Sequence, residues 1–162
     1  MGGTIIASDF DIQGRILSPL PTRDSVLPIL PAFFTAARRK QTLSQLAASY
    51  ILPFTAADRL ENFDRTKSAA LMARLHHSDY NLQGFFAPLS EVIDVNKVNG
   101  LRVTLAEGEI VHVRTSVNAP EMRCYVEART EQAAMELLQQ TAGLIRQWAE
   151  SSYPDAGFRF ED

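Results

Sequence analysis

One cysteine and three histidines are all that the 162 residues hold of the soft side chains that most often staple or metallate a small domain. A lone Cys124 excludes an internal disulfide. With no secretory signal in view, a reducing cytoplasm is the expected compartment. Neither charge dominates: 16 Lys and Arg stand against 19 Asp and Glu, a net −3. A duplex-binding surface carries a basic excess, so nucleic acid is not the expected partner. The longest apolar runs, 26–37 and 46–54, are short and broken by proline or polar residues, so no membrane span is expected. There is no Walker loop and no dinucleotide glycine motif. His76 and His77 are adjacent, which on a helix sets them about 100° apart. No third strong ligand lies at a metal spacing, so no metal site is expected.

What is present is a 46% hydrophobic chain, enough to bury a core in one domain plus a portion of another. Residues 4–8 read as a short strand. Residues 9–23, with Gly14, Pro19 and Pro21, read as loop or edge. Asp24 or Ser25 caps a helix whose apolar face is Val26, Leu27, Leu30, Phe33, Phe34 and Ala37, with Pro31 bending or delaying it. Arg38, Arg39 and Lys40 suit its C-terminus as dipole partners rather than as a phosphate site. Thr42 and Gln45 form a capping-box pattern. Pro53 breaks the chain, and a domain boundary is expected near 49–53. Beyond it, 54–60 reads as a strand. Asp64 caps a helix over 65–76 with Ala69, Leu71, Met72 and Leu75 in the core, and 77–88 reads as a loop.

From Leu89 the apolar period changes to two. Asn99-Gly100 predicts a type I′ hairpin, and Glu107-Gly108 marks the next turn. Val111 and Val113 face one way; Ile110, His112 and Arg114 face the other. Met122, Cys124 and Val126 alternate with Arg123 and Tyr125, which makes Cys124 a packing residue rather than a nucleophile. Thr130 caps a helix over 131–150 with Leu137, Leu138, Leu144, Ile145 and Trp148 along one side. The fold class expected is α+β: a four-stranded, mainly antiparallel sheet with helices on one face, preceded by a strand-plus-helices segment.

The residues with chemistry cluster in one connection. Arg114, Thr115, Ser116 and Asn118 precede Pro120, and Arg123 follows within the next strand. A phosphate monoester needs charge-assisted donors in fixed geometry, and Arg offers a planar fork. Hydroxyls and loop N–H groups complete such a shell. The residues alone fit either an anion cradle or a solvated polar loop.

The stretch RTSVNAPEMRCYVEA resembles the phosphate-binding loop of the α-D-phosphohexomutases, the phosphomannomutase/phosphoglucomutase family. Arg114, Ser116, Asn118, Ala119, Pro120 and Arg123 stand in the places of that family's pattern, and the preceding GEIVHVR resembles its last hairpin. GGTIIASDF followed by LPTRDSVLPIL resembles the end of the family's third domain. TLSQLAASY and FTAADRL continue the similarity into the fourth.

The resemblance implies residues 1–49 as the C-terminal remnant of an α/β third domain, and 50–162 as a TATA-box-binding-protein-like fourth domain. It implies Arg114, Thr115, Ser116, Val117, Asn118 and Arg123 as the substrate-phosphate site, with Gly2 and Gly3 as the remnant of a sugar-recognition loop. The activity implied for the parent is interconversion of hexose 1-phosphate and hexose 6-phosphate through a phosphoserine and a bisphosphate. The parent would use magnesium, held by an Asp-Gly-Asp-x-Asp loop. That loop and the phosphorylated serine are missing from this sequence; Asp9-Phe10-Asp11 lacks the glycine and the third aspartate. The chain alone is therefore expected to be inactive, to carry no cofactor and to bind hexose phosphate, inorganic phosphate or sulfate. Its further partners would be the parent's missing N-terminal domains, or a second copy through an exposed 1–49 segment. Val117 replaces a common glycine, which strains the loop if that position needs a positive φ, and Thr115 replaces a common proline. The competing class is a non-catalytic α+β module that binds an anion or a protein.

Overall fold

The structure, a computed structural model, describes residues 4–152. It divides into two compact units, Met1–Leu52 and Pro53–Asp162.

In the first unit, β1 (Thr4–Ile6) pairs antiparallel with β4 (Leu20–Asp24), and β2 (Phe10–Ile12) with β3 (Arg15–Leu17). The segment read as loop or edge thus holds short strands. Its hairpin is made by Gln13 and Gly14, both with positive φ (55° and 79°), as a primed two-residue turn demands. Asp11 Oδ1 accepts the Gly14 N–H at 2.9 Å and steadies it. Asp24 Oδ1 accepts from the N–H groups of Val26 and Leu27, each at 2.7 Å. The helix α1 (Ile29–Arg39) begins only afterwards. The delay leaves Pro31 in the first turn, where a missing N–H costs nothing. Arg38 lies over the Phe34 ring, 5.9 Å from its centroid. Within this unit Val26, Leu30, Phe33 and Phe34 are exposed and Ala36 is buried. The capping box forms as expected: α2 (Leu43–Ala48) starts with Gln45 N–H donating to Thr42 Oγ1 and Thr42 N–H donating to Gln45 Oε1.

The second unit runs β5 (Phe54–Leu60), α3 (Arg65–His77), α4 (Asp79–Phe86), β6 (Val92–Asn96), β7 (Leu101–Leu105), β8 (Ile110–Thr115), β9 (Met122–Ala128) and α5 (Glu131–Ser152). Its sheet has five strands in the order β5-β9-β8-β7-β6, every neighbour antiparallel. The α+β class stands, and the count of four strands is corrected to five. β5 joins at the edge beside β9, paired from Phe54↔Ala128 to Leu60↔Met122. Being an edge, it is largely exposed and lacks the alternation that marked its neighbours.

Alternation in the inner strands separates two faces. Leu101, Val103, Leu105, Val111, Val113, Met122, Cys124 and Val126 are buried with Leu71, Leu75, Leu82, Phe86 and Ile145 of the helices. Each such side chain contributes about 1.5–3 kcal/mol by leaving water. Arg102, His112, Arg114, Arg123, Tyr125 and Glu127 alternate with them and stay half-buried.

Three local expectations change. Residues 77–88 are not all loop, because α4 lies there. Ser78 ends α3 and caps α4 with its hydroxyl, and Leu82 and Phe86, four apart, bury one face among polar residues. In α3 the core position falls to Ser68, whose hydroxyl donates to Arg65 O at 2.9 Å, while Ala69 is exposed. Asn99 does not have the positive φ that type I′ demands; only Gly100 does, at 89°, closing a longer connection over 97–100. No helix among the described residues is long and apolar enough to cross a membrane.

Candidate functional site

The chemistry-bearing connection is the loop 116–121 between β8 and β9. The register sets Arg114 directly opposite Arg123 and Thr115 opposite buried Met122. The two arginines therefore share the half-exposed face of the sheet, and Thr115, by alternation, belongs to the other face. The loop folds back on itself: Ser116 N–H donates to Glu121 O at 3.0 Å, and Glu121 N–H to Ala119 O at 2.9 Å. It is tied to the β5–α3 connection by Phe63 N–H donating to Pro120 O at 2.9 Å and by Arg65 Nη2 donating to Val117 O at 3.5 Å. Val117 and Asn118 are exposed at the tip. Val117 is not among the residues with positive φ, so it carries no left-handed strain and its side chain simply points into solvent, 88% exposed.

The two arginines have different principal partners, Glu121 for Arg123 and Tyr125 for Arg114, with Tyr125 also acting on Arg123. Arg123 donates from Nε (2.9 Å) and Nη2 (2.7 Å) to Glu121 Oε1. Glu121 is only 8% exposed. The Arg123 bond holds its carboxyl below the usual carboxylate range against the cost of burial, helped by the Ser116 hydroxyl and by the charges of Arg123 and Arg59. The same pair raises the Arg123 guanidinium above its ordinary value. Arg114 instead donates from Nη2 to the Tyr125 hydroxyl at 3.0 Å, with its guanidinium 5.5 Å from the ring centroid. That bond draws the Tyr125 phenol below its ordinary value, with Arg123 adding to the effect. Among the described residues Arg114 has no carboxylate partner.

Support comes from strands further in. His112 lies opposite Tyr125, their rings stacked 5.6 Å apart at 29°. His112 Nε2 is 2.6 Å from Asn99 O. A carbonyl only accepts, so Nε2 carries the proton. A Cβ on Gly100 would stand 2.6 Å from both Arg114 Cβ and Val113 O. The close approach and the positive φ both demand glycine there.

The structure thus brings Arg114, Ser116 and Arg123 together with exposed Asn118 and Val117 at the tip. Gly2 and Gly3 lie outside the described residues. Arg59, Arg65, Glu121 and Tyr125 were missed. Arg59 reaches the site row because β5 pairs with β9, which sets it opposite Arg123. It pairs with Glu61 at 2.9 Å. Tyr125 had a readable signal, since it lies two residues from Arg123 on the same face of β9 and opposes His112. Glu121 had the same kind of signal, two residues before Arg123 and of opposite charge. Elsewhere, Cys124 is buried and its thiol is pushed up to about 12, by burial first and then by the Asp58 charge. Among the described residues no three His, Cys, Asp or Glu side chains come together as metal ligands.

A five-stranded antiparallel sheet with helices against its buried face and an arginine-flanked loop between β8 and β9 defines an α+β domain. Residues 60–144 match the family model for the phosphoglucomutase/phosphomannomutase C-terminal domain. The chain belongs to that family. It is 43% identical over 144 residues to a phosphomannomutase of Sinorhizobium fredii, covering 89% of this chain and 30% of that protein. It is 29% identical over 146 residues to a phosphomannomutase of Salmonella muenchen, covering 90% and 30%. A crystal structure of a phosphoglucomutase/phosphomannomutase family protein from Burkholderia thailandensis shares the fold, with a TM-score of 0.55, 17% identity and coverage of 90% of this chain and 27% of that one. The chain therefore spans less than a third of the length of these relatives.

Proposed function

We propose that this chain is the substrate-phosphate-binding, C-terminal portion of a phosphomannomutase/phosphoglucomutase-type enzyme. The parent would interconvert hexose 1-phosphate and hexose 6-phosphate through a phosphoserine and a bisphosphate intermediate. The observation that carries this reading is Arg114: a half-buried guanidinium beside a loop, oriented by a phenol and without a carboxylate partner among the described residues. Such a group is a ready partner for a phosphate dianion. Arg123 would approach the same anion from the opposite strand, with Ser116, Asn118 and loop N–H groups near Val117 completing the shell.

The part assigned to this loop is binding and orientation. It would grip the phosphate that is not being transferred, so that the other end of the sugar meets the reacting serine. Binding energy from a remote group lowers the barrier by fixing position. No residue of the loop is assigned proton transfer. Magnesium would be held by an Asp-Gly-Asp-x-Asp loop that this sequence does not contain, and no step assigned to this chain runs through it. With the phosphoserine also outside this sequence, the chain alone binds phosphate and turns over nothing.

The test uses the intact enzyme carrying this chain. Arg114→Ala should raise KM for the sugar phosphate well above the effect of Arg38→Ala, whose guanidinium rests on Phe34 in the other unit. Equal effects of the two substitutions would argue against a specific clamp.

A further inference from the structure

An arginine side chain has many rotamers, and fixing one costs entropy that a binding site must recover. Arg114 is fixed before any ligand arrives. Its Nη2 donates to the Tyr125 hydroxyl at 3.0 Å and its guanidinium lies 5.5 Å from that ring. The Tyr125 ring is itself held by the His112 ring, 5.6 Å away, and His112 is anchored by Nε2 on Asn99 O at 2.6 Å. The turn that supplies Asn99 also presses Gly100 against Arg114 Cβ. A continuous path therefore runs from the β6–β7 turn through His112 and Tyr125 to the guanidinium.

We infer that Tyr125 is the positioning residue of the phosphate site, holding the Arg114 guanidinium in the direction that meets the substrate phosphate. His112 and the 97–100 turn hold Tyr125 in turn. The inference rests on the phosphate-binding reading of the loop. The phenol occupies one of the five guanidinium N–H donors and leaves the others for an anion. Because the hydroxyl is neutral, it orients Arg114 without cancelling its charge. A carboxylate in the same place would orient and neutralise at once, as Glu121 does for Arg123.

The test titrates inorganic phosphate into the whole 162-residue chain, followed by backbone amide shifts of 114–119 at several salt concentrations. Wild type, Tyr125→Phe and Arg114→Ala are compared. Tyr125→Phe should weaken phosphate binding roughly tenfold, the scale of a hydrogen bond to a charged group. It should keep the wild-type salt dependence, since the charge remains, and shift the Arg114 Nε–H resonance. Arg114→Ala should weaken binding further and flatten the salt dependence. His112→Phe keeps a ring against Tyr125 but loses the Asn99 bond, so it should fall between wild type and Tyr125→Phe. If Tyr125→Phe binds like wild type while Arg114→Ala does not, Tyr125 is no positioning residue and the phosphate reading survives. If Tyr125→Phe loses thermal stability with the Arg114 Nε–H resonance unmoved, its role is packing and the inference is overturned. If wild type shows no shifts at 114–119, the phosphate reading falls and the inference with it.

Discussion

Arg114 and Arg123 stand directly opposite each other across β8 and β9, two like charges in one cross-strand pair. Such a pair is unfavourable on its own. The sheet tolerates it because Glu121 takes Arg123 and the Tyr125 hydroxyl takes Arg114. The arginines that would serve a ligand are thus part of the local stability.

Glu121 makes that link measurable by pH. Arg123 depresses its carboxyl, so the stabilisation is present above the ordinary carboxylate value and is lost as pH falls through the depressed one. Asp64, which accepts the N–H groups of Thr66 and Lys67 at the start of α3, acts in the same direction. Melting temperature should therefore decline on acidification. Glu121→Gln should lower it at neutral pH and make the acid decline shallower. An unchanged acid profile in Glu121→Gln would contradict the pairing.

Two glycines should respond oppositely to alanine. Gly100→Ala meets a φ of 89° and two atoms at 2.6 Å, one of them a backbone carbonyl, and should destabilise by about 2 kcal/mol. It should also disturb Arg114 and weaken phosphate binding. Gly84 is exposed within α4 with nothing near its added Cβ. Gly84→Ala should stabilise by up to about 1 kcal/mol. Chemical denaturation of both variants reads the difference.

Much of this could be read from the chain before its fold was known. The capping box at Thr42 and the cap at Asp64 were legible because their bonds span only two or three residues. The strands β7 to β9 were legible because one face is buried and burial alternates along them, while β6 was marked chiefly by the turn that follows it, since its burial does not alternate and its register shifts between Val92 and Asp94. The edge strand β5 was legible as a strand but not as part of the sheet, since pairing with β9 crosses more than sixty residues of chain. Helix α4 was hidden because only Leu82 and Phe86 mark its buried face. At the loop, residue types pointed to Arg114 and Arg123 and the spacing of two put Glu121 beside Arg123, but that the Arg114 guanidinium reaches the Tyr125 hydroxyl depends on the β8–β9 register.

Cys124 should be silent in the folded chain. Burial raises its thiol to about 12, so at pH 8 almost none is thiolate, and the side chain is out of reach. A thiol reagent should modify it only at the rate of unfolding. The raised value also means stability is full below the ordinary thiol value of about 9 and declines as pH rises above it. Prompt modification under native conditions would contradict the burial.

Mutase turnover should be absent from the chain by itself, with magnesium and a hexose bisphosphate supplied. A coupled assay on protein free of host mutase should read background. Turnover above background would show that reacting groups lie within these residues.

The central claim is that residues 114–123 form a phosphate cradle, and it is tested most directly by titrating inorganic phosphate into the isotopically labelled chain. The account predicts saturable shifts concentrated at the backbone amides of 114–119, with a fixed response at Arg123. The arginines and lysine at 38–40, equally cationic but serving a helix end, should respond no more than the rest of the surface. No shifts at 114–119, or shifts no larger there than at 38–40, would contradict it.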